Sequence, residues 1–208
     1  MMPMKVGILG ERFGRLRDAF LRRGHDAISC DLAKSEAGGP HIQADYLTVD
    51  WSGFDLLIAH PTCTYLCSSG LHRNKNNPQR AAKTEDAIKH FKMVLSLPAQ
   101  KLAVENPIGC ISTRIREPDQ IIQPWQFGDD ASKATCLWLK GLPPLAFDAP
   151  LFRPTYFAPP RIVNGRKRWS NQTDNGQNRL PPSKNRWALR SMTYSGIAEA
   201  MAEQWGGL

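Results

Sequence analysis

No stretch of this chain approaches the roughly 20 consecutive apolar residues that a membrane-spanning helix needs, and the opening MMPMKVGILGERFG is too briefly apolar for a secretory signal. The expectation is a soluble, cytoplasmic protein with no membrane partner. CxxC spacing is absent too. The five cysteines, Cys30, Cys63, Cys67, Cys110 and Cys136, are odd in number and irregular in spacing, which argues against a zinc ribbon or a disulfide framework and predicts mostly reduced thiols and no metal site. A GxGxxG turn is lacking, so a dinucleotide cofactor is disfavoured, whereas a nucleoside without a pyrophosphate does not require that close approach. There is no internal repeat. Acidic residues are in deficit: 19 Asp and Glu face 27 Lys and Arg, a net charge of +8, which favours a polyanionic partner.

What is present fits one domain with a small appendage. At 208 residues, 41% apolar and 22% charged, the chain can bury a core and is not disordered, collagen-like or coiled-coil. Lys5–Leu9 reads as a strand ending at Gly10, and Arg15–Arg23 as a helix with Leu16, Ala19 and Phe20 at helical spacing. Asp26–Cys30 and Phe54–Ala59 read as buried parallel strands. Apolar residues from Gln79 to Leu97 predict a helix, followed by a strand at Lys101–Val104. Thr135–Leu139 adds a strand and Gly196–Trp205 a closing helix. The predicted fold is α/β, a doubly wound, mostly parallel Rossmann-like sheet. Its expected organisation is a catalytic domain over 1–142, a Pro-rich basic segment over 143–192 and a C-terminal helix over 193–208 that packs back.

Open α/β sheets bind ligands beyond the carboxyl ends of their strands, so those positions carry the functional candidates. Gly10, Phe13 and Gly14 lie in the first turn, and Asp31 ends the second strand. A carboxylate at Asp31 suits ribose hydroxyls, and equally suits a helix cap or turn. His60-Pro61-Thr62-Cys63 leaves one buried strand and Glu105-Asn106-Pro107 leaves another, 42 residues on from Cys63. A Cys thiolate is a strong nucleophile, and a carboxyl that stays protonated could donate to a heterocycle nitrogen and render the adjacent carbon electrophilic. Taken singly, a Cys is more often core and Glu105 could just as well pair with an Arg; their joint placement is the signal.

Ala59-His60-Pro61-Thr62-Cys63-Thr64-Tyr65-Leu66-Cys67-Ser68 resembles the Pro-Cys nucleophile loop of the DNA (cytosine-5) methyltransferases. Phe91–Val104 with Glu105-Asn106-Pro107 is similar to their helix, strand and Glu-Asn-Val element, and Thr113-Arg114-Ile115-Arg116 to their Arg-x-Arg element. The resemblance covers roughly residues 5–116, and the whole chain resembles compact phage and prophage proteins described as cytosine methyltransferases. It implies that Cys63 attacks C6 of a flipped cytosine while Glu105 holds N3 and the exocyclic amine. S-adenosylmethionine would methylate C5, with Asp31 on its ribose, Asp45 on its adenine, and Gly10, Phe13, Gly14 and Pro61 around it. Arg114 or Arg116 would face the base's O2; the alternative for both is a phosphate clamp or a solvated charge. Thr62 and Thr64 depart from the family's Pro-Cys-Gln, as do bulky Glu11 and Arg12 in the first turn. Only about ninety residues follow Arg116 where the family carries a large target-recognition region.

Half of the 16 prolines lie between Pro143 and Pro182, predicting a loop-rich segment. Arg153 to Arg190 holds nine Lys or Arg against one acidic residue, Asp174, so the rest of the chain is neutral. Arg161, Arg166, Lys167, Arg168, Trp169, Arg179, Lys184 and Arg186 are the expected DNA contacts; the alternative is a surface loop whose tryptophans pack on the sheet. The leading expectation is a methyltransferase acting on duplex DNA, with a homo-oligomer or a host protein as a further partner. The competing readings are a catalytically degenerate DNA- or protein-binding member and a pyrimidine-modifying enzyme with another one-carbon donor.

Overall fold

A strand whose four residues, Leu56–Ala59, are all fully buried has to sit mid-sheet with both faces covered, and the computed structural model places it there. The structure describes residues 2–147 and 159–208. In chain order the elements are β1 Lys5–Leu9, α1 Arg15–Arg22, β2 Asp26–Asp31, β3 His41–Gln43, β4 Leu56–Ala59, α2 Ser68–Leu71, α3 Pro78–Leu95 and β5 Lys101–Pro107. They continue with α4 Ile111–Arg114, β6 Gln120–Ile122, β7 Thr135–Lys140, β8 Arg161–Val163, β9 Arg166–Arg168, α5 Arg186–Ser191 and α6 Ser195–Trp205.

The main sheet has the order β3-β2-β1-β4-β5-β7-β6. Neighbours from β3 to β5 are parallel, and β7 alone runs against its neighbours β5 and β6. This is a mixed α/β, mostly parallel Rossmann-like sheet with its switch point between β1 and β4. One face is covered by α1 and α6: Leu16, Ala19 and Phe20 meet Ile197, Met201 and Trp205 over Val6, Ile8, Leu56 and Ile58. Arg22 and Arg23 pair with Glu199, and Arg23 also with Glu203, which clasps the two helices at their rims. The other face is covered by α3, whose Ile88, Phe91 and Val94 pack on Leu57, Val104 and Trp138. Asn77 caps α3 by accepting from the Arg80 N–H at 2.9 Å, and Pro78 supplies the preset first position.

Outside the main sheet, the basic segment is more ordered than its sequence predicts. β8 and β9 form an antiparallel hairpin around Asn164 (φ 49) and Gly165 (φ 71), two left-handed residues that close a tight primed turn. Part of the Pro-rich segment, residues 148–158 with Arg153, lies outside the described residues.

Candidate active site

Pro61 has no N–H to extend β4, and its carbonyl instead accepts from the Asn106 side chain at 2.8 Å. The next residues coil back, with the Cys63 carbonyl accepting from the N–H groups of Leu66 and Cys67 at 3.0 and 3.1 Å. Residues 66–68 then join the stretch after β5: Cys110 N–H donates to Leu66, Ser68 N–H donates to Ile108, and Cys67 faces Gly109 as an antiparallel bridge. Two strand-end loops are thereby fastened into one unit carrying Cys63.

Alternation along β5 splits the Glu-Asn pair. Ala103 faces the α1/α6 side and Val104 the α3 side, so Glu105 turns toward α6 while buried Asn106 secures the Cys63 loop. Glu105 lies in a crevice with His60, Lys133, Thr135, Thr193, Tyr194, Ile197 and Met201. Its Oε2 is 3.0 Å from His60 Nδ1. The enclosed space is about 10 Å³, room for about one water, and the crevice is partly open to solvent.

Electrostatics correct one expectation. Burial alone would push the Glu105 carboxyl up, but the His60 hydrogen bond, the charges of Lys133 and His60, and the Thr135 hydroxyl outweigh it and hold the group below its ordinary range. Glu105 is therefore ionised in this state rather than protonated. The Cys63 thiol is pushed up by burial and then by the Glu105 charge, with Lys133 pulling the other way. All five cysteines are free thiols. Cys30 and Cys136, by contrast with the half-exposed Cys63, are buried in strands and pushed up to about 11 chiefly by burial.

The first turn opens no cradle for a ligand. The space beside Gly10 (φ 76) is closed by the His60 carbonyl, 2.6 Å from where a Cβ would stand, and that beside Gly14 (φ 67) by the Arg17 guanidinium. Buried Glu11 accepts from the N–H groups of Leu16 and Arg17 at 2.7 and 3.2 Å, capping α1 from within. Phe13 is half-buried and lies under the Arg12 guanidinium, 5.4 Å from its ring centre. Asp31 and Asp45 both make turn bonds: one carboxylate oxygen accepts from Ala33 N–H and Leu47 N–H respectively.

Neither arginine of the Arg-x-Arg element reaches Glu105. Arg114 pairs with Glu85 of α3 at 2.7 Å, and Arg116 with Asp119 at 2.9 Å. Arg116 also donates to the Leu139 carbonyl, a residue whose register partner on β5 is Ala103, two positions back from Glu105. The cation that does line the crevice is Lys133. Because surface ion pairs contribute little, Arg114→Met is expected to leave any DNA modification within about twofold of wild type, measured by nucleoside mass spectrometry.

In the basic segment the structure separates residues that the sequence grouped. Trp169 is stacked on Trp125, centroids 5.6 Å apart and planes 16° from parallel. Arg161 pairs with Asp174 at 3.2 Å, Arg168 donates to the Asp174 carbonyl, and Arg179 to the Gln172 carbonyl. These three arginines hold their own loop together. Arg166, Lys167 and Lys184 are exposed, and Arg186 begins α5 half-buried. The segment is anchored beside the crevice: Ser170 bonds Asp130, and Asn171 bonds both backbone groups of Ser132 and the Tyr194 hydroxyl.

His60, Lys133, Tyr194 and Glu11 are site residues that sequence reasoning misses. His60 had a usable signal, as the first residue past β4.

No family model and no curated protein matches the chain. Among solved structures, an RNA methyltransferase from Salinibacter ruber in complex with S-adenosyl-L-homocysteine is similar at 13% identity and TM-score 0.39, over 70% of this chain and 87% of that one. The Entamoeba histolytica methyltransferase EhMeth is similar at 13% identity and TM-score 0.44, over 69% of this chain and 54% of its own. The bifunctional kinase-methyltransferase WbdD matches at 14% identity and TM-score 0.38 over 71% of this chain, which spans 37% of WbdD. At these scores none of them carries an activity onto this chain. Among the described residues no helix is long and apolar enough to cross a membrane.

Proposed function

We propose that this chain is a methyltransferase of the DNA cytosine-5 type that works through Cys63 and Glu105. One observation carries the reading: the loops after adjacent strands β4 and β5 are fastened to each other by the Asn106–Pro61 bond and the 66–68 to 108–110 pairing, so that Cys63 and Glu105 sit on joined strand ends and the Glu105 charge bears on the thiol. A nucleophile and a carboxylate held at one sheet edge suit conjugate addition to a pyrimidine.

Cys63 attacks C6 of a flipped base as its thiolate. Glu105 accepts from the exocyclic amine as it stands, and it has to gain a proton before it can donate to N3. Lys133 supplies the cation toward O2 in place of Arg114 and Arg116. For S-adenosylmethionine, the donor set fits the nucleoside half: Asp31 ends β2 and Asp45 follows β3, and the turn bond of each uses only one carboxylate oxygen. At the α1 N-terminus, Glu11 already takes the N–H groups that would bind a carboxylate, so the methionine carboxylate would be held elsewhere. When bound, the cofactor supplies the methyl group to C5.

DNA is held by the exposed Arg166 and Lys167 of the β8–β9 hairpin, with Lys184. Replacing both Arg166 and Lys167 by Ala is expected to lower the salt slope of duplex binding by about 0.9 for each phosphate no longer neutralised, read from Kd over a salt series.

The reading is tested by incubating the protein with S-adenosylmethionine and duplex DNA containing 5-fluorocytosine. A covalent adduct at Cys63, located by peptide mass spectrometry, is the expected outcome. A narrow crevice and a self-capped first turn favour the degenerate reading, for which the result is salt-sensitive DNA binding with no adduct on any sequence.

A further inference from the structure

Hydrogens and charges around Glu105 match one pyrimidine edge better than the other. Among the described residues lining the crevice, Glu105 is the one carboxylate and His60 and Lys133 are the two cations. Lys133 is half-buried, and its ammonium has no hydrogen-bond or ion-pair partner among the described residues. The His60 side chain is only 10% exposed. Its Nδ1 is engaged by Glu105 Oε2 at 3.0 Å, while Nε2 is buried with no hydrogen-bond partner. His60 acts on Glu105 as a positive charge, and in that form both ring nitrogens carry hydrogen, so Nε2–H is a donor lacking an acceptor. Ionised Glu105 can only accept. The lining therefore offers one acceptor and two cationic donors.

Cytosine presents acceptors at O2 and N3 and a donor at its amine, so its N3 lone pair opposes the carboxylate until a proton is gained. Uracil presents an N3–H donor between two carbonyl acceptors and needs no such proton. We infer that the crevice also reads the imide edge of uracil in DNA: Glu105 accepts from N3–H, while Lys133 and His60 Nε2–H donate to the two flanking carbonyl oxygens. This inference rests on the reading that a flipped pyrimidine meets Glu105, and it widens the bases taken. His60 and Lys133 are then the residues that set specificity. When a thiolate adds to C6 of uracil, the C5–C6 π pair moves to C4–C5 and the C4–O4 π pair moves onto O4. The new charge arrives at an oxygen already faced by a cationic donor. The other titratable groups around His60 are Glu11 after β1 and Tyr194 ahead of α6.

Binding of the intact protein to duplexes that differ in a single base tests the inference without cofactor. That base is uracil or cytosine opposite an abasic site, so it is unpaired and free to flip. Fluorescence anisotropy at about pH 5.5, below the ordinary imidazole pKa, gives Kd for each duplex. The expected result is a Kd about tenfold lower for uracil, and no preference in Glu105→Gln, whose amide can present a donor or an acceptor to the base. Equal affinities in the wild type would overturn the inference, as would a preference that Glu105→Gln retains, because that preference would belong to the DNA. Trapping with S-adenosylmethionine on duplexes containing 5-fluorouracil or 5-fluorocytosine keeps the two readings apart. A uracil preference in Kd with no Cys63 adduct on either base sinks the methyltransferase reading alone. An adduct on 5-fluorocytosine, with equal affinities for uracil and cytosine, overturns the inference alone.

Discussion

Cys63→Ser is expected to reduce DNA modification by at least about 10⁴-fold, the scale on which loss of an activated nucleophile is felt, while Kd for duplex DNA stays within about twofold. A serine hydroxyl ionises far less readily than a thiol and is the poorer nucleophile toward C6. The substitution is otherwise mild. Cys63 is half-exposed in a loop whose hydrogen bonds are made by its own backbone carbonyl, and serine preserves those. The exposed cations of the hairpin lie on β9, in a two-stranded sheet separate from the main one. Nucleoside mass spectrometry and fluorescence anisotropy read the two quantities. Equal loss of both would make Cys63 a structural thiol and sink the enzymatic reading.

The sheet was legible because burial on two faces leaves an unmistakable pattern. Lys5–Leu9 matches β1, and the other long strands differ from their predicted bounds by one to three residues. Those differences have local causes. Asn77 and Pro78 start α3 one residue before the predicted Gln79, and β5 runs on through Glu105-Asn106-Pro107 because β7 pairs with it as far as Pro107. The same inspection of strand ends that selects Cys63 and Glu105 also passes over His60, whose role appears only when the register sets it beside Glu105.

Lys133 was hidden for a different reason. Looking beyond carboxyl ends finds site residues on parallel strands, but β7 is reversed, so its amino end comes to the edge where β4 and β5 finish. Direction within a sheet is a tertiary property that the apolar run Thr135–Leu139 does not encode. Reversal also explains Arg116, which β7 draws toward the other end through Leu139. In the basic segment the Asn164-Gly165 turn was readable, since Asn-Gly is a strong hairpin signal, but only Ile162 and Val163 before it are apolar while Arg166-Lys167-Arg168 follow it, and the stretch reads as loop. Trp169 could not be placed from sequence, because its stacking partner Trp125 is 44 positions away.

Gly109→Ala is expected to cost about 3 kcal/mol of stability, at the upper end of what overpacking usually costs, and to abolish the Cys63 adduct in the molecules that still fold. Gly109 is not in the left-handed region that glycine tolerates best; its constraint is space. A Cβ there would land on the carbonyl oxygen of Leu66, with the Leu66 carbonyl carbon at 2.7 Å and Cys67 Cα at 3.1 Å. All three are backbone atoms that no rotamer change can move. That carbonyl also accepts from Cys110 N–H, so displacing it breaks the pairing between the Cys63 loop and the end of β5. For a chain of this size about 3 kcal/mol corresponds to a fall in Tm of roughly 6–12 °C, measured by calorimetry alongside 5-fluorocytosine trapping. A variant with wild-type Tm and a normal adduct would mean that the two loops can part without consequence, and that the fastening of β4 to β5 does not hold the site.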